Sequence, residues 1–365
     1  MSSKNDSNVE KKVPVKYKFS KCINENSKIN LLNFPIRALI DDTFDLFKSI
    51  KNEYLLIFSH CENYEKYSLI IYDMKSHQIR LKIGNAHEQR IYTCRHFLDK
   101  KGNRDLLITS SFDRYIKIWD LTNYYKLIYT KKPDYNYQTN TYLLSENLLF
   151  YNNKNYLITS CYEINSKGYN ILYYDYEENT KNNNNEFGLI ENSKDNTNYL
   201  GVYYDKDIPI IISGNLGNIK IFDFSKKELI NTYKDNGINI NYLSVIIKEN
   251  KNKNKIVIGS SADGPLRIWD YNNANLISKI FDDDYEDWLI GLCLINENYI
   301  LAGCYDNKIR EYDLETNSFV CKFEREENND ETDVIFCIKN IKIEGKNYLV
   351  SHSNEGFINL WEEQK

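Results

Sequence analysis

Apolar and polar residues alternate along most of the chain in short runs, and turn-forming residues separate the runs. The clearest stretch is Asp105 to Leu121, DLLITSSFDRYIKIWDL. A β-branched run leads into Phe112-Asp113-Arg114, and a second alternating run, Tyr115-Ile116-Lys117-Ile118-Trp119, follows. Successive side chains on a strand point to opposite faces, so two such runs split by a tight turn predict a β-hairpin. The unit recurs. SSADGPLRIWDY at 260–271, GCYDNKIREYDL at 303–314 and SNEGFINLWEE at 353–363 repeat it closely. SGNLGNIKIFDF at 213–224 is a looser copy, and LIIYD ending at Asp73 and ILYYD ending at Asp175 are looser still.

The acidic residues that close the copies are Asp73, Asp120, Asp175, Asp223, Asp270, Asp313 and Glu362, at intervals of 47, 55, 48, 47, 43 and 49 residues. Trp119-Asp120 and Trp269-Asp270 carry a Trp-Asp pair, which the other copies soften to Tyr-Asp, Phe-Asp or Trp-Glu. A period of this size with four strands per period and a Trp-Asp signature marks propeller blades. On these residues the sequence resembles the WD-repeat β-propeller family from about residue 15 onward. The resemblance implies an all-β fold, a seven-bladed propeller of four-stranded antiparallel blades. It also supplies the closure. YKFSKCI at 17–23 reads as a fourth strand with no preceding partners, and the sequence ends at NLWEEQK, just after a third strand. Pairing the two completes the last blade and removes two open sheet edges. The expected division is a disordered tail, 1–14, and one propeller domain, 15–365. Blade one is read as FPIRALI, EYLLIFS and YSLIIYDM.

Composition narrows the function classes. A net charge of −5 disfavours a general nucleic-acid or anionic-membrane binder. No apolar run approaches the roughly 20 residues that span a bilayer. The eight cysteines form no Cys-x-x-Cys pair and no secretory signal precedes them, which suits reduced thiols in the cytoplasm or nucleus. The five histidines, at 60, 77, 87, 96 and 352, have no ligand spacing, so no metal is expected. No phosphate loop, dinucleotide fingerprint or nucleophile elbow is present, so no cofactor and no catalytic residue is expected.

A His, an Asp and a Ser or Thr in one unit invite a hydrolase reading. In the WD-repeat family the matching residues form a buried hydrogen-bond network that pins the blade, which implies a structural role for His87, Asp113 and Trp119 with Thr109, Ser110 or Ser111. Asp263 and Asp306 match Asp113 in position, Glu355 matches it conservatively, and Leu216 does not match. None of those four blades has the preceding His, so only blade two is expected to hold the full network and the others to depend more on packing.

The most informative surface is acidic. FDDDYEDW at 281–288 contributes Asp282, Asp283, Asp284, Glu286 and Asp287, with Tyr285 and Trp288 as aromatic anchors. FEREENNDETD at 323–333 adds a second acidic connection beside it. Such a sector suits solubilising loops or a docking site for a Lys/Arg-rich segment, where charge steers encounter and aromatics hold it. Arg90, Phe112 and Tyr305 would complete the rim, with Arg37, Tyr199 and Tyr242. The resemblance implies a non-catalytic scaffold for protein–protein interactions, a monomeric propeller inside a larger intracellular complex. Two alternatives stand beside it. One is a substrate adaptor of a ubiquitin ligase, to whose Trp-Asp-x-Arg/Lys box Tyr72-Asp73-Met74-Lys75 is loosely similar. The other is an enzyme using the central channel, which would need convergent ionisable residues at its mouth.

Overall fold

In the computed structural model of the protein there are seven four-stranded antiparallel sheets, six of which run in sequence order from an inner to an outer strand. The structure describes residues 17–23, 44–61, 67–132, 141–163, 168–175, 188–193, 197–235, 240–324, 333–353 and 356–364. The 1–14 tail lies outside them. Blade one comprises Phe44–Lys48, Tyr54–Cys61, Tyr67–Asp73 and Gln78–His87; blade two comprises Ile91–Asp99, Arg104–Ser111, Ile116–Asp120 and Lys126–Lys131. Blades three to six begin at Thr141, Thr197, Tyr242 and Leu289. Blade seven takes Ile335–Ile343, Lys346–Ser353 and Ile358–Glu363 from the end of the sequence and Tyr17–Cys22 from its beginning. The first strand of each blade packs against the first strands of its neighbours, which closes the ring around a channel.

Burial explains the strand patterns. The middle strands are covered on both faces by adjacent blades, so Arg104–Ser111 is buried along nearly its whole length, its polar Asp105, Thr109, Ser110 and Ser111 as well as Leu106, Leu107 and Ile108. The outer strands have only one covered side, and Lys126–Lys131 is mostly exposed or half-buried. The core is therefore a set of layers between blades. One joins Leu55, Ile57, Leu69 and Ile71 of blade one to Cys94, Leu107 and Trp119 of blade two. Another joins Val350, Ile358 and Leu360 of blade seven to Leu46, Leu56 and Ile70 of blade one, across the seam of the ring.

The aspartate that ends five of the repeats, Asp223 among them through the Ser225 and Lys226 N–H groups, has a local cause. The Asp73 carboxylate accepts the backbone N–H groups of Lys75 and Ser76. Asp120 accepts those of Thr122 and Asn123, Asp270 those of Asn272 and Asn273, and Asp313 those of Glu315 and Thr316. A carboxylate that folds over its own turn reverses the backbone between the third and fourth strands. Tyr72-Asp73-Met74-Lys75 is one more instance. Tyr72 and Met74 are buried, and Lys75 pairs with Glu344 at 2.6 Å.

Two findings refine the strand assignment. The first strand of blade one is Phe44–Lys48, paired Phe44↔Phe58 to Lys48↔Tyr54, whereas FPIRALI lies outside the described residues. Asp45 breaks the apolar run in sequence but is absorbed in the fold, accepting Lys339 Nζ at 2.9 Å and the His96 N–H at 2.6 Å. His87 is the last residue of blade one's outer strand, which carries it directly to blade two.

The closing strand is held by register and by rings. Tyr17 pairs with Glu363, Phe19 with Trp361 and Cys22 with Asn359. Phe19 meets Trp361 edge-on at 5.7 Å, and Tyr17 stacks on Phe323 of blade six at 6.0 Å. Deleting residues 1–23 is expected to cost several kcal/mol, because it exposes the Trp361 ring and opens the edge of Ile358–Glu363. Denaturant melts of the deleted and full-length proteins check this; coincident midpoints would mean that the seam does not need the strand.

Candidate functional site

Blade two contains a buried line of polar groups at its hairpin end. His87 Nδ1 lies 2.8 Å from Asp113 Oδ2, His87 Nε2 lies 2.9 Å from Thr109 Oγ1, and Trp119 Nε1 donates to Thr109 Oγ1 at 3.0 Å. Burial lowers the His87 pKa despite the pull of Asp113, and the Asp113 carboxyl is held below its usual range by His87 and backbone N–H groups against the opposing effect of burial. A carboxylate can only accept, so Nδ1–H donates to Asp113, and neutral Nε2 accepts the Thr109 hydroxyl proton. Every polar atom in the line is thereby used, and the line ends in an indole rather than at solvent.

The other blades are not left to packing alone. In blade five, Arg267 is fully buried, and its Nε donates to Asp235 at 2.7 Å while Nη1 and Nη2 grip Asp263 at 2.7 and 2.5 Å. In blade six, Arg310 repeats the arrangement, with Nε on Asp282 at 2.8 Å and a two-pronged contact to Asp306 at 2.7 and 2.8 Å. Burial lowers the Arg310 pKa, but Asp306 first and then Asp282 outweigh it, so the guanidinium is firmly charged. Blade four substitutes amides: Asn215 Nδ2 donates to Ser213 Oγ at 3.0 Å and Asn218 Oδ1 at 3.1 Å, and Leu216 contributes only its carbonyl, which accepts Asn218 Nδ2 at 3.4 Å. Glu355 lies outside the described residues. Sequence reasoning missed both arginines. The signal was present as Asp-x-x-x-Arg in DGPLR and DNKIR, with a second Asp two residues past the preceding outer strand.

This geometry corrects the reading of the acidic stretch. Asp282 is no surface carboxylate but 6 % exposed, consumed by Arg310. Tyr285 is 8 % exposed, with its ring 3.6 Å from the Arg310 guanidinium carbon. Its hydroxyl donates to the Trp288 carbonyl at 2.6 Å and accepts the Tyr305 N–H at 3.0 Å. Asp282 and Tyr285 therefore hold the connection down rather than face a partner. On its outer side Asp283, Asp284, Glu286 and Asp287 stand apart from the Arg310 pair, and none forms an ion pair among the described residues. Trp288 and Tyr305 are half-buried with ring centroids 5.8 Å apart. Both pack on Leu243, Ile290, Val334 and Phe336. Gly264 is needed below them: its φ is +99°, and a Cβ there would meet the Tyr285 carbonyl at 3.1 Å.

The remaining rim positions separate. Arg90 is 6 % exposed, Phe112 is half-buried against Tyr92 at 5.3 Å, and Tyr242 is buried against Trp269. Tyr199 lines the channel. Arg37 lies outside the described residues. Of the second acidic connection, Glu324 is exposed and pairs with Lys308 at 3.4 Å, Asp333 is buried, and 325–332 lie outside the described residues.

A cavity of about 400 Å³ runs along the channel, lined by first strands of six blades. Its charged lining residues among those described are Arg95, which donates to the Leu200 carbonyl at 2.8 Å, and Lys339, which pairs with Asp45. Between blades two and three, Glu146 is fully buried and accepts the hydroxyls of Ser110 and of Thr93 (3.0 Å). Among the described residues no three His, Cys, Asp or Glu side chains are grouped to hold a metal ion.

Two expectations follow for stability. Arg310→Met strands two carboxylates at the blade-six turn and should cost about 3–5 kcal/mol. Adding Asp282→Asn and Asp306→Asn should recover part of that loss; three additive losses in denaturant melts would deny the network. The second concerns pH. Burial first, then Arg90, holds the His352 pKa down to about 3, and burial pushes Glu146 up to about 7. His352 therefore contributes a loss of stability as pH falls from 6.5 toward about 3. Glu146 contributes a loss as pH rises from 4.5 toward about 7. Glu146→Gln removes only the second, so its stability relative to the parent should rise with pH through that window by up to about 1.4 kcal/mol per unit. Parallel pH curves for the two proteins would contradict this.

A search of curated proteins finds no match to the sequence. A family model described as "WD domain, G-beta repeat" matches residues 79–120, from the outer strand of blade one through His87 and Asp113 to the Trp119-Asp120 pair. Together with seven four-stranded antiparallel blades, the last of them completed by Tyr17–Cys22, that match supports a β-propeller of the WD-repeat family.

Proposed function

We propose that this propeller is an intracellular scaffold that docks Lys/Arg-rich protein segments on the face formed by its hairpin turns and interblade connections. WD-repeat propellers are in general protein-interaction scaffolds without catalytic activity of their own. The observation that carries the finer reading is the division of labour in residues 281–288. Asp282 and Tyr285 are locked to Arg310, so the connection is rigid before any partner arrives. Four carboxylates outside that lock, Asp283, Asp284, Glu286 and Asp287, then stand on its outside beside the Trp288–Tyr305 pair. Preformed charge raises the encounter rate with a basic segment, and a half-buried aromatic pair offers stacking to a guanidinium or to an alkyl-ammonium stem. Rigidity lowers the ordering cost of binding. The free thiols of the seven described cysteines fit a reducing compartment.

The test is selection from a random peptide display library on the full-length protein and on a variant carrying Asp283→Asn, Asp284→Asn, Glu286→Gln, Asp287→Asn and Trp288→Ala. Asp282 and Tyr285 stay in place, because changing them would disturb the fold. The parent should enrich Lys/Arg-rich sequences, with affinity that falls as salt rises. The variant, melting at the same temperature, should bind the selected peptides at least about tenfold more weakly, roughly 1.4 kcal/mol. Equal binding by both proteins would move the docking site elsewhere.

A further inference from the structure

Arg90 is the strongest unexplained feature of the molecule. It stands just before the first strand of blade two, and its carbonyl accepts the Phe112 N–H at 3.0 Å. Trp288 has the same place in blade six, where its carbonyl accepts the Tyr305 N–H at 3.1 Å. The two positions are therefore equivalent. They lie on the same face, and the connection entering blade two is separated from the one entering blade six by three steps of the ring one way and four the other. One side of the mouth carries an aromatic pair amid carboxylates; the opposite side carries a guanidinium.

Among the described residues that guanidinium meets no carboxylate. Arg90 is only 6 % exposed, yet its Nη1 has no hydrogen-bond acceptor, and its side chain forms no ion pair among the described residues. Arg267 and Arg310, buried like it, each hold two carboxylates. A buried charge is normally paired, since leaving it alone forfeits its hydration without replacement. Burial brings the Arg90 pKa down to about 10, so the group is still cationic at neutral pH. The neighbouring His352 is neutral there, so the two together carry a single positive charge.

We propose that Arg90 is a carboxylate-binding site: the guanidinium takes one carboxylate of a docked protein segment, supplied by an Asp or Glu side chain or by the segment's free C-terminus. A carboxylate matches the fork of a guanidinium with two parallel bonds and neutralises its one charge. A phosphate monoester would bring close to two negative charges and leave the buried site anionic. The source of the carboxylate rests on the docking function proposed above; the unmet requirement of Arg90 for an anion does not. If both hold, a docked segment is polarised, with its basic residues at 283–288 and an acidic group at Arg90.

The experiment uses the full-length protein and Arg90→Met, melted in sodium acetate, sodium chloride and sodium phosphate at equal ionic strength and pH 7. Acetate should raise the melting temperature of the parent above its value in chloride, in a saturable manner. Arg90→Met should show no such difference and should melt no lower than the parent in chloride, because an unpaired buried charge has gone. An absent acetate effect in the parent, or an undiminished one in Arg90→Met, overturns the proposal. An equal or larger effect of phosphate overturns the assignment to carboxylate. Should Arg90→Met fail to fold, Arg90→Lys keeps the charge without the fork and should lose most of the acetate effect; retention of the whole effect counts against the site. Peptides carrying either a free C-terminus or an amidated C-terminus with an internal Glu then separate the two sources, the true one binding at least about fivefold more tightly to the parent than to the variant. The variant neutralised at 283–287 should keep the acetate response. Loss of Lys/Arg enrichment with that response intact fails only the docking proposal, and the reverse fails only this one.

Discussion

Everything in this molecule depends on one antiparallel pairing, that of Tyr17–Cys22 with Ile358–Glu363. A four-stranded blade has two apolar faces and cannot cover either by itself. Each of the seven blades borrows its cover from its neighbours, so the arrangement is stable only if the circle has no first or last member. The seam layer shows the result: residues from blade seven and from blade one form a single apolar cluster with buried members throughout. Sheet edges at the seam, which would otherwise invite pairing with another molecule, are consumed in the process.

Within that ring, polar side chains decide where the connections go. Blade two uses a neutral imidazole between a carboxylate and a threonine; blades five and six use an arginine between two aspartates; blade four uses amides. In blades two, five and six the solutions differ in chemistry but solve one problem, which is to tie the turn between second and third strands to the segment arriving from the previous blade, whereas the blade-four amides brace the hairpin itself. In blade six the same tie produces a presentable surface. The residues that anchor the loop and those that face solvent alternate within eight positions, so the interior bond sets the pose of the exterior charge.

The fold was largely legible in the sequence because its cause is repetitive. The closing aspartate recurs because Asp73, Asp120, Asp223, Asp270 and Asp313 each cap the same turn, and the orphan strand at 17–23 is visible because every other repeat has four members. The line from His87 to Trp119 lies on residues that the spacing singles out. What escaped notice was whatever broke the alternation for a tertiary reason. Arg267 and Arg310 sit on strands where a charged residue ordinarily marks the wet face, and only their partners reveal them as interior. Asp282 hides in a run of acids that look alike by composition but differ in burial. Asp45 disguises a first strand because the lysine and the backbone N–H that satisfy it come from two other blades. Glu146 is a charged residue in an inner strand whose hydroxyl partners are supplied by two blades.

The ring also has a direction in time. Ser20 reaches Glu362 across 342 positions of sequence. At a translation rate of about 5–20 residues per second, the early strand waits roughly 20–70 s on the ribosome for its partner to be made. During that interval blades can form and stack one after another, but the circle stays open, and both faces of the seam are exposed to whatever else is in the cell. The strand that closes the ring is made before all three of its partners in blade seven. A chaperone acting on this protein would therefore find its most persistent target at the N-terminal strand, and a premature stop anywhere before blade seven would leave that strand with nothing to join.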